Sequence, residues 1–113
     1  MGEAIALALA AEGATVVVAG RRLAKLNEVA TQADGTILTH TVDVADRGSV
    51  KTLFDWVSER LGQLHLLVNC AGANVPKRSM CELAPDDWDK LMAINATGAF
   101  NCMHYALPLM RPH

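Results

Sequence analysis

The chain has 113 residues, 51% hydrophobic and 19% charged, with ten Lys and Arg against twelve Asp and Glu for a net charge of −2. Residues 1–113 are enough for one domain with a core and too few for a second domain with its own substrate pocket. A pI near 6.0 lacks the basic footprint that phosphate-backbone binding needs, so no nucleic-acid partner is expected.

Taken in chain order, Gly2 to Glu12 places Ile5, Ala8 and Leu9 at helical spacing and stops at Gly13, a residue suited to the backbone beyond a helix end. Its apolar block, Ala4 to Ala11, follows Glu3 where a secretory signal is positive, and Glu12-Gly13 interrupts it. It reads as neither a signal nor a membrane span. Thr15 to Ala19 is a β-branched run without polar alternation, which predicts a parallel-sheet strand covered on both faces. Leu23 to Ala33 returns to helical period through Leu23, Leu26, Val29 and Ala30 and ends in the turn Asp34-Gly35. Thr36 to Val42 is the next strand. Asp46 caps a helix whose apolar stripe is Val50, Leu53, Phe54, Val57 and Leu61, closed by Gly62.

Leu64 to Asn69 predicts a third strand, followed by a loop through Gly72, Asn74, Pro76 and Lys77. Pro85-Asp86-Asp87 then opens a long helix, its acids suited to the positive end of the helix dipole. The expected inner face is Trp88, Leu91, Met92, Asn95, Ala99 and Met103, with Pro108 as its limit. The order α-β-α-β-α-β-α implies an α/β fold, a parallel sheet with helices on both faces. The chain opens on a helix, whereas a doubly wound nucleotide-binding fold opens on a central strand and a Gly-rich turn.

Cys70, Cys81 and Cys102 form an odd set with no C-x-x-C pair, which argues against a disulfide framework and for a reducing, cytoplasmic setting. His40, His65, His104 and His113 stand singly, so no metal site is expected. The aromatic residues Phe54, Trp56, Trp88, Phe100 and Tyr105 are too few for a base-stacking platform.

Four places can carry chemistry. Gly20-Arg21-Arg22 follows the first strand, where ligands bind in open parallel sheets. The arginines either start a solvated helix or bind a ribose 2′-phosphate at a position where an acid would select a free 2′-hydroxyl. Asp43-Val44 ends the second strand; Asp43 either shapes a turn or accepts from an adenine amino group. Asn69-Cys70-Ala71-Gly72 is by itself a weak turn signal, though its small residues allow backbone to approach a ligand. Cys70, with no neighbouring base in sequence, reads as a small buried residue. Asn95, on the apolar face of the long helix, is either structural glue or part of a site. Tyr105 is the only tyrosine, the residue four beyond it is Leu109, and it has no adjacent cation to acidify it.

The stretch Leu67-Val68-Asn69-Cys70-Ala71-Gly72, together with Trp88, Ile94-Asn95-Ala96-Thr97-Gly98 and Asp43, resembles the first half of a short-chain dehydrogenase/reductase across nearly the whole chain. The resemblance implies a Rossmann-like doubly wound sheet and NAD(P)(H)-dependent hydride transfer between nicotinamide and an alcohol/carbonyl substrate. Asn69, Ala71 and Gly72 match the Asn-Asn-Ala-Gly motif that steadies the sheet and lines the cofactor cleft, with Cys70 in place of its second Asn. Asn95 matches the catalytic Asn thought to hold a water in a proton relay whose Tyr protonates the carbonyl oxygen. Asp43 and Val44 match adenine contacts, Arg21 and Arg22 a preference for NADP with NAD still possible, and Gly2 the last glycine of the Gly-x-x-x-Gly-x-Gly turn.

The rest of that turn and its strand are absent, and the catalytic Ser and Tyr-x-x-x-Lys pair would lie beyond His113. The expectation is therefore an incomplete Rossmann fold truncated at both ends, poorly soluble alone, weak in cofactor binding and without reductase turnover. The expected partners are a small carbonyl or alcohol substrate, no nucleic acid and no membrane, with full-length relatives forming homo-oligomers. Lys77 and Arg78 suit either an anionic substrate or an exposed loop. The alternatives are a non-catalytic product that pairs with a full-length reductase through the Asn95 helix, and an unrelated flavodoxin-like domain.

Overall fold

In a computed structural model of the chain, residues 2–33, 35–72 and 79–111 are described. They fall into two compact units, one ending at Asp43 and the other starting at Val44.

The first unit is α1 (Gly2–Ala11), β1 (Val16–Gly20), α2 (Leu23–Gln32) and β2 (Ile37–Thr41). The β-branched run forms β1, and α2 carries the chain back so that β2 pairs parallel to it, with Val16 opposite Ile37 and Gly20 opposite Thr41. One further backbone bond extends the pairing: Val42 N–H donates to the Gly20 carbonyl at 2.9 Å. The buried side chains here are Ala6, Ala10 and Val42.

The inner face of α1 is therefore offset from the expected stripe. Ile5 and Leu9 are half-buried and Ala8 is exposed. Small residues win this face because the chain comes very close: a Cβ on Gly35 would collide with the Ala10 carbonyl, lying 3.0 Å from its carbon. β1 was expected to be covered on both faces, yet Val16, Val17 and Val18 are half-buried and Ala19 is exposed. The sheet of described residues has two strands, so each has only one laterally paired edge. In α2, Leu26, Val29 and Ala30 are half-buried, whereas Leu23 at its first turn is exposed.

The second unit is built on α3 (Arg47–Leu61), α4 (Pro85–Met92), a π-helical turn (Ala93–Thr97) and α5 (Gly98–Met110). Asp46 caps α3 as its sequence position implies, accepting from the N–H groups of Gly48 at 3.0 Å and Ser49 at 3.3 Å. Gly62 at φ +80° ends α3 and Gly13 at φ +92° follows α1, backbone conformations that side chains disfavour. Val50, Leu53, Phe54 and Val57 form the predicted buried stripe.

The long helix differs from its expected course in three ways. Gly98, Asn101, Cys102 and Ala106 are its buried residues, and α5 packs on α3. Met103 (51% exposed) lies outside, because the smaller side chains allow the closer approach of α5 and α3, and Trp88 on α4 is 53% exposed. At the junction Gly98 N–H donates to Ala93 O, five residues back. That wider turn shifts the helix face by about 100° relative to an uninterrupted α-helix and leaves Asn95 exposed. Pro108 does not limit α5, which continues to Met110.

The predicted strand from Leu64 to Asn69 is not a strand. Leu64 N–H donates to the Leu109 carbonyl at 3.1 Å, while Leu66 is 58% and Val68 41% exposed. An apolar run becomes a strand only where a neighbour supplies the ladder, and among the described residues β1 and β2 pair with each other alone. For the same reason Cys70, expected to be buried, is exposed. Cys81 is exposed too, whereas Cys102 is buried, and burial pushes its thiol pKa up.

Two outcomes check this unit. Asp46→Ala is expected to lower stability by about 1 kcal/mol in denaturant titration, the typical value of an N-cap. A thiol reagent at neutral pH is expected to label Cys70 and Cys81 rapidly and Cys102 only when denaturant opens the α3 and α5 packing.

Candidate functional site

In the first unit, the parallel register sets where the chemistry-bearing residues emerge. Arg21 and Arg22 follow β1 directly, and Asp43 follows β2 by two residues. Because Gly20 lies opposite Thr41, both strands deliver these residues at the same carboxyl end. The arginines are exposed and Asp43 is half-buried. Arg22 is also the N-cap of α2, in extended backbone and without a side-chain cap bond.

The last turn of α1 lies against Gly35, just before β2, so the C-terminus of α1 is at the amino end of the strands. Gly2 opens the N-terminal turn of α1, the end that carries unpaired N–H groups and the positive pole of the helix dipole. The structure thus brings Arg21, Arg22 and Asp43 to one end of the ladder.

In the second unit, Gly72 and Asn95 come together. A Cβ on Gly72 would lie 3.3 Å from Asn95 Oδ1, a tight contact that glycine avoids. Asn95 sits in the π-helical turn, a helix irregularity frequent at functional sites. Asn69 and Ala71 are exposed on the irregular segment leading to Gly72. Lys77 and Arg78, with Asn74 and Pro76 of the same loop and Asp34 of the expected turn after α2, lie outside the described residues.

Val44 is held from two directions. Asn101 Nδ2 donates to the Val44 carbonyl at 3.0 Å, and a Cβ on Gly98 would lie 2.7 Å from Val44 Cγ2. Asn101 is 1% exposed, and its Oδ1 accepts from Arg47 Nε at 3.3 Å. Sequence reasoning missed Asn101. The signal available was its place three residues after Gly98 and beside Cys102, on the small-residue face of the helix rather than the large apolar one.

Among the described residues no group of three His, Cys, Asp or Glu could hold a metal ion. No described helix is long and apolar enough to cross a membrane.

Comparison with known proteins gives a consistent result. The family model described as enoyl-(acyl carrier protein) reductase matches residues 1–113. Meso-2,3-butanediol dehydrogenase of Serratia marcescens is 35% identical over 109 residues, covering 96% of this chain and 43% of that protein. A metagenomic short-chain oxidoreductase in complex with NADP superposes with a TM-score of 0.90 at 28% identity, over 96% of this chain and 51% of that one. An alcohol dehydrogenase of the archaeon Thermococcus sibiricus complexed with 5-hydroxy-NADP gives 0.86 at 26% identity, over 96% and 48%. The chain spans about half the length of the curated relatives it matches. With its α/β fold matching Rossmann-type neighbours and a family model covering its full length, the chain belongs to the short-chain dehydrogenase/reductases and corresponds to their N-terminal half.

Proposed function

We propose that the chain carries the dinucleotide-binding half of an NAD(P)(H)-dependent oxidoreductase that interconverts an alcohol and a carbonyl, with NADP(H) preferred. The observation that carries this reading is the gathering of Arg21, Arg22 and Asp43 at one end of the β1–β2 ladder. The NADP complexes among the structural neighbours support it.

The residues suit the parts of such a cofactor. The Arg21 and Arg22 guanidiniums provide charge-assisted bonds to a 2′-phosphate, and no acid stands at that strand end to select a free hydroxyl. The amino end of α1 favours a pyrophosphate through its dipole and unpaired N–H groups. Asp43 accepts from the adenine amino group, with Val44 beside it. In the second unit, Asn69, Ala71 and Gly72 let backbone approach the ligand, and Gly72 leaves room for the Asn95 amide. The nicotinamide ring, when bound, supplies or takes the hydride. Asn95 orients a water for proton transfer. The acid that protonates the carbonyl oxygen is not Tyr105, because the residue four beyond it is Leu109 rather than Lys. The three cysteines fit work in a reducing cytoplasm.

Replacing Arg21 and Arg22 by Ala is expected to weaken NADPH binding by about tenfold per arginine and leave NADH binding unchanged, read by quenching or calorimetric titration. Equal losses for both cofactors would remove the 2′-phosphate assignment. The purified 113-residue chain, given NADPH and simple ketones or diketones, is expected to show no carbonyl reduction. Ordinary turnover would place the acid elsewhere in this sequence.

One observation favours a second reading, in which the chain is a non-catalytic partner of a full-length reductase. Phe100, Met103, Leu107 and Met110 recur at helical spacing on α5 and are all exposed. Co-purification with a full-length reductase together with loss of that enzyme's activity distinguishes the two.

A further inference from the structure

Asn101 is the one polar residue among the described ones that is almost completely buried, and its amide is used at both ends. An amide in that position needs its donor and its acceptor satisfied, since a buried polar group without a partner is costly. Its donor holds the carbonyl of Val44, and its acceptor takes Arg47 Nε from the first turn of α3. The Val44 side chain is seated where Gly98 has no Cβ. Backbone and side chain of one residue are thus both fixed by α5, at the point where the chain has just left β2 and Asp43.

We infer that Asn101 is a positioning residue for the adenine end of the dinucleotide, acting through Val44. The inference rests on the reading of Asp43 and Val44 as the adenine contact. Asn101 touches no ligand itself. It holds the Val44 carbonyl, which sets the ψ angle of Val44. Arg47 in turn fixes which end of the amide is oxygen, because a guanidinium N–H can only donate. A flipped amide would turn an acceptor toward the Val44 carbonyl and release it. A helix residue that served packing alone has no need of two polar partners on separate segments, and Cys102 beside it shows that a small apolar group fits this face.

The test separates the two ends of the cofactor. Affinity of the chain for 2′,5′-ADP, which carries the adenine and the 2′-phosphate, is measured beside affinity for reduced nicotinamide mononucleotide, which has neither. Asn101→Asp keeps the acceptor for Arg47 and replaces the donor by an oxygen. It is expected to weaken 2′,5′-ADP by about tenfold, the scale of one lost buried hydrogen bond, and to leave the mononucleotide within about twofold. Arg47→Met, an exposed change that frees the amide to flip, is expected to weaken 2′,5′-ADP by about threefold with the mononucleotide again unchanged. It carries the test if Asn101→Asp fails to fold. Unchanged 2′,5′-ADP affinity in the folded variants, or equal losses for both ligands, overturns the inference. Failure of the unsubstituted chain to bind 2′,5′-ADP overturns instead the reading of Asp43 and Val44, and the inference falls with it.

Discussion

Five residues of β1 lie parallel to five of β2, and that ladder requires the chain to return to the starting end between them. Parallel strands cannot be joined by a tight hairpin, so α2 serves as the crossover. The consequence is chemical as well as architectural. Both strands end on the same side, and whatever follows them emerges together. Arg21 and Arg22 are separated from Asp43 by a whole helix and strand, yet the ladder brings them to one end. Antiparallel pairing of the same strands would send Arg21 and Asp43 to opposite ends.

Close approach is the second recurrent constraint. Ala10 against Gly35 and Val44 against Gly98 each bring a group to where a Cβ would stand, and Asn95 comes close to Gly72. These contacts explain why the buried faces of α1 and α5 are made of small residues while larger apolar ones, Met103 and Phe100 among them, remain exposed. Hydrophobic size alone is a poor guide to the inner face of a helix when the neighbouring segment must pass close to it. Asn101 belongs to the same pattern, a polar group admitted to a tight face because both ends of its amide are satisfied.

Membership of the short-chain dehydrogenase/reductases does not by itself supply a substrate. The relatives that match include proteins named for butanediol and steroid chemistry, and the chain spans less than half the length of either. On the proposed reading, what it carries is suited to the partner that such reactions share, the dinucleotide. The π-helical turn at Asn95 fits that division, since it turns an amide out of the packed face of the helix and toward solvent at Gly72.

Much of the architecture was legible along the chain. The Asp46 cap, the Val50 to Val57 stripe, the Gly13 and Gly62 stops, and the β-branched run of β1 are local signals, each requiring only a few neighbouring residues to act. The motif around Asn69 and Asn95 was legible for a related reason, because a short pattern at fixed spacing is itself a sequence property. Three features were decided in space. Leu64 to Asn69 has the composition of a strand but no laterally paired neighbour, and hydrogen-bonded pairing is a relation between segments that no single segment contains. The inner face of α5 was set by how near α3 comes, which favoured Cys102 over Met103. Asn101 acquired its role only when folding placed the Val44 carbonyl and the Arg47 guanidinium on either side of one amide, a coincidence of positions more than fifty residues apart in the chain.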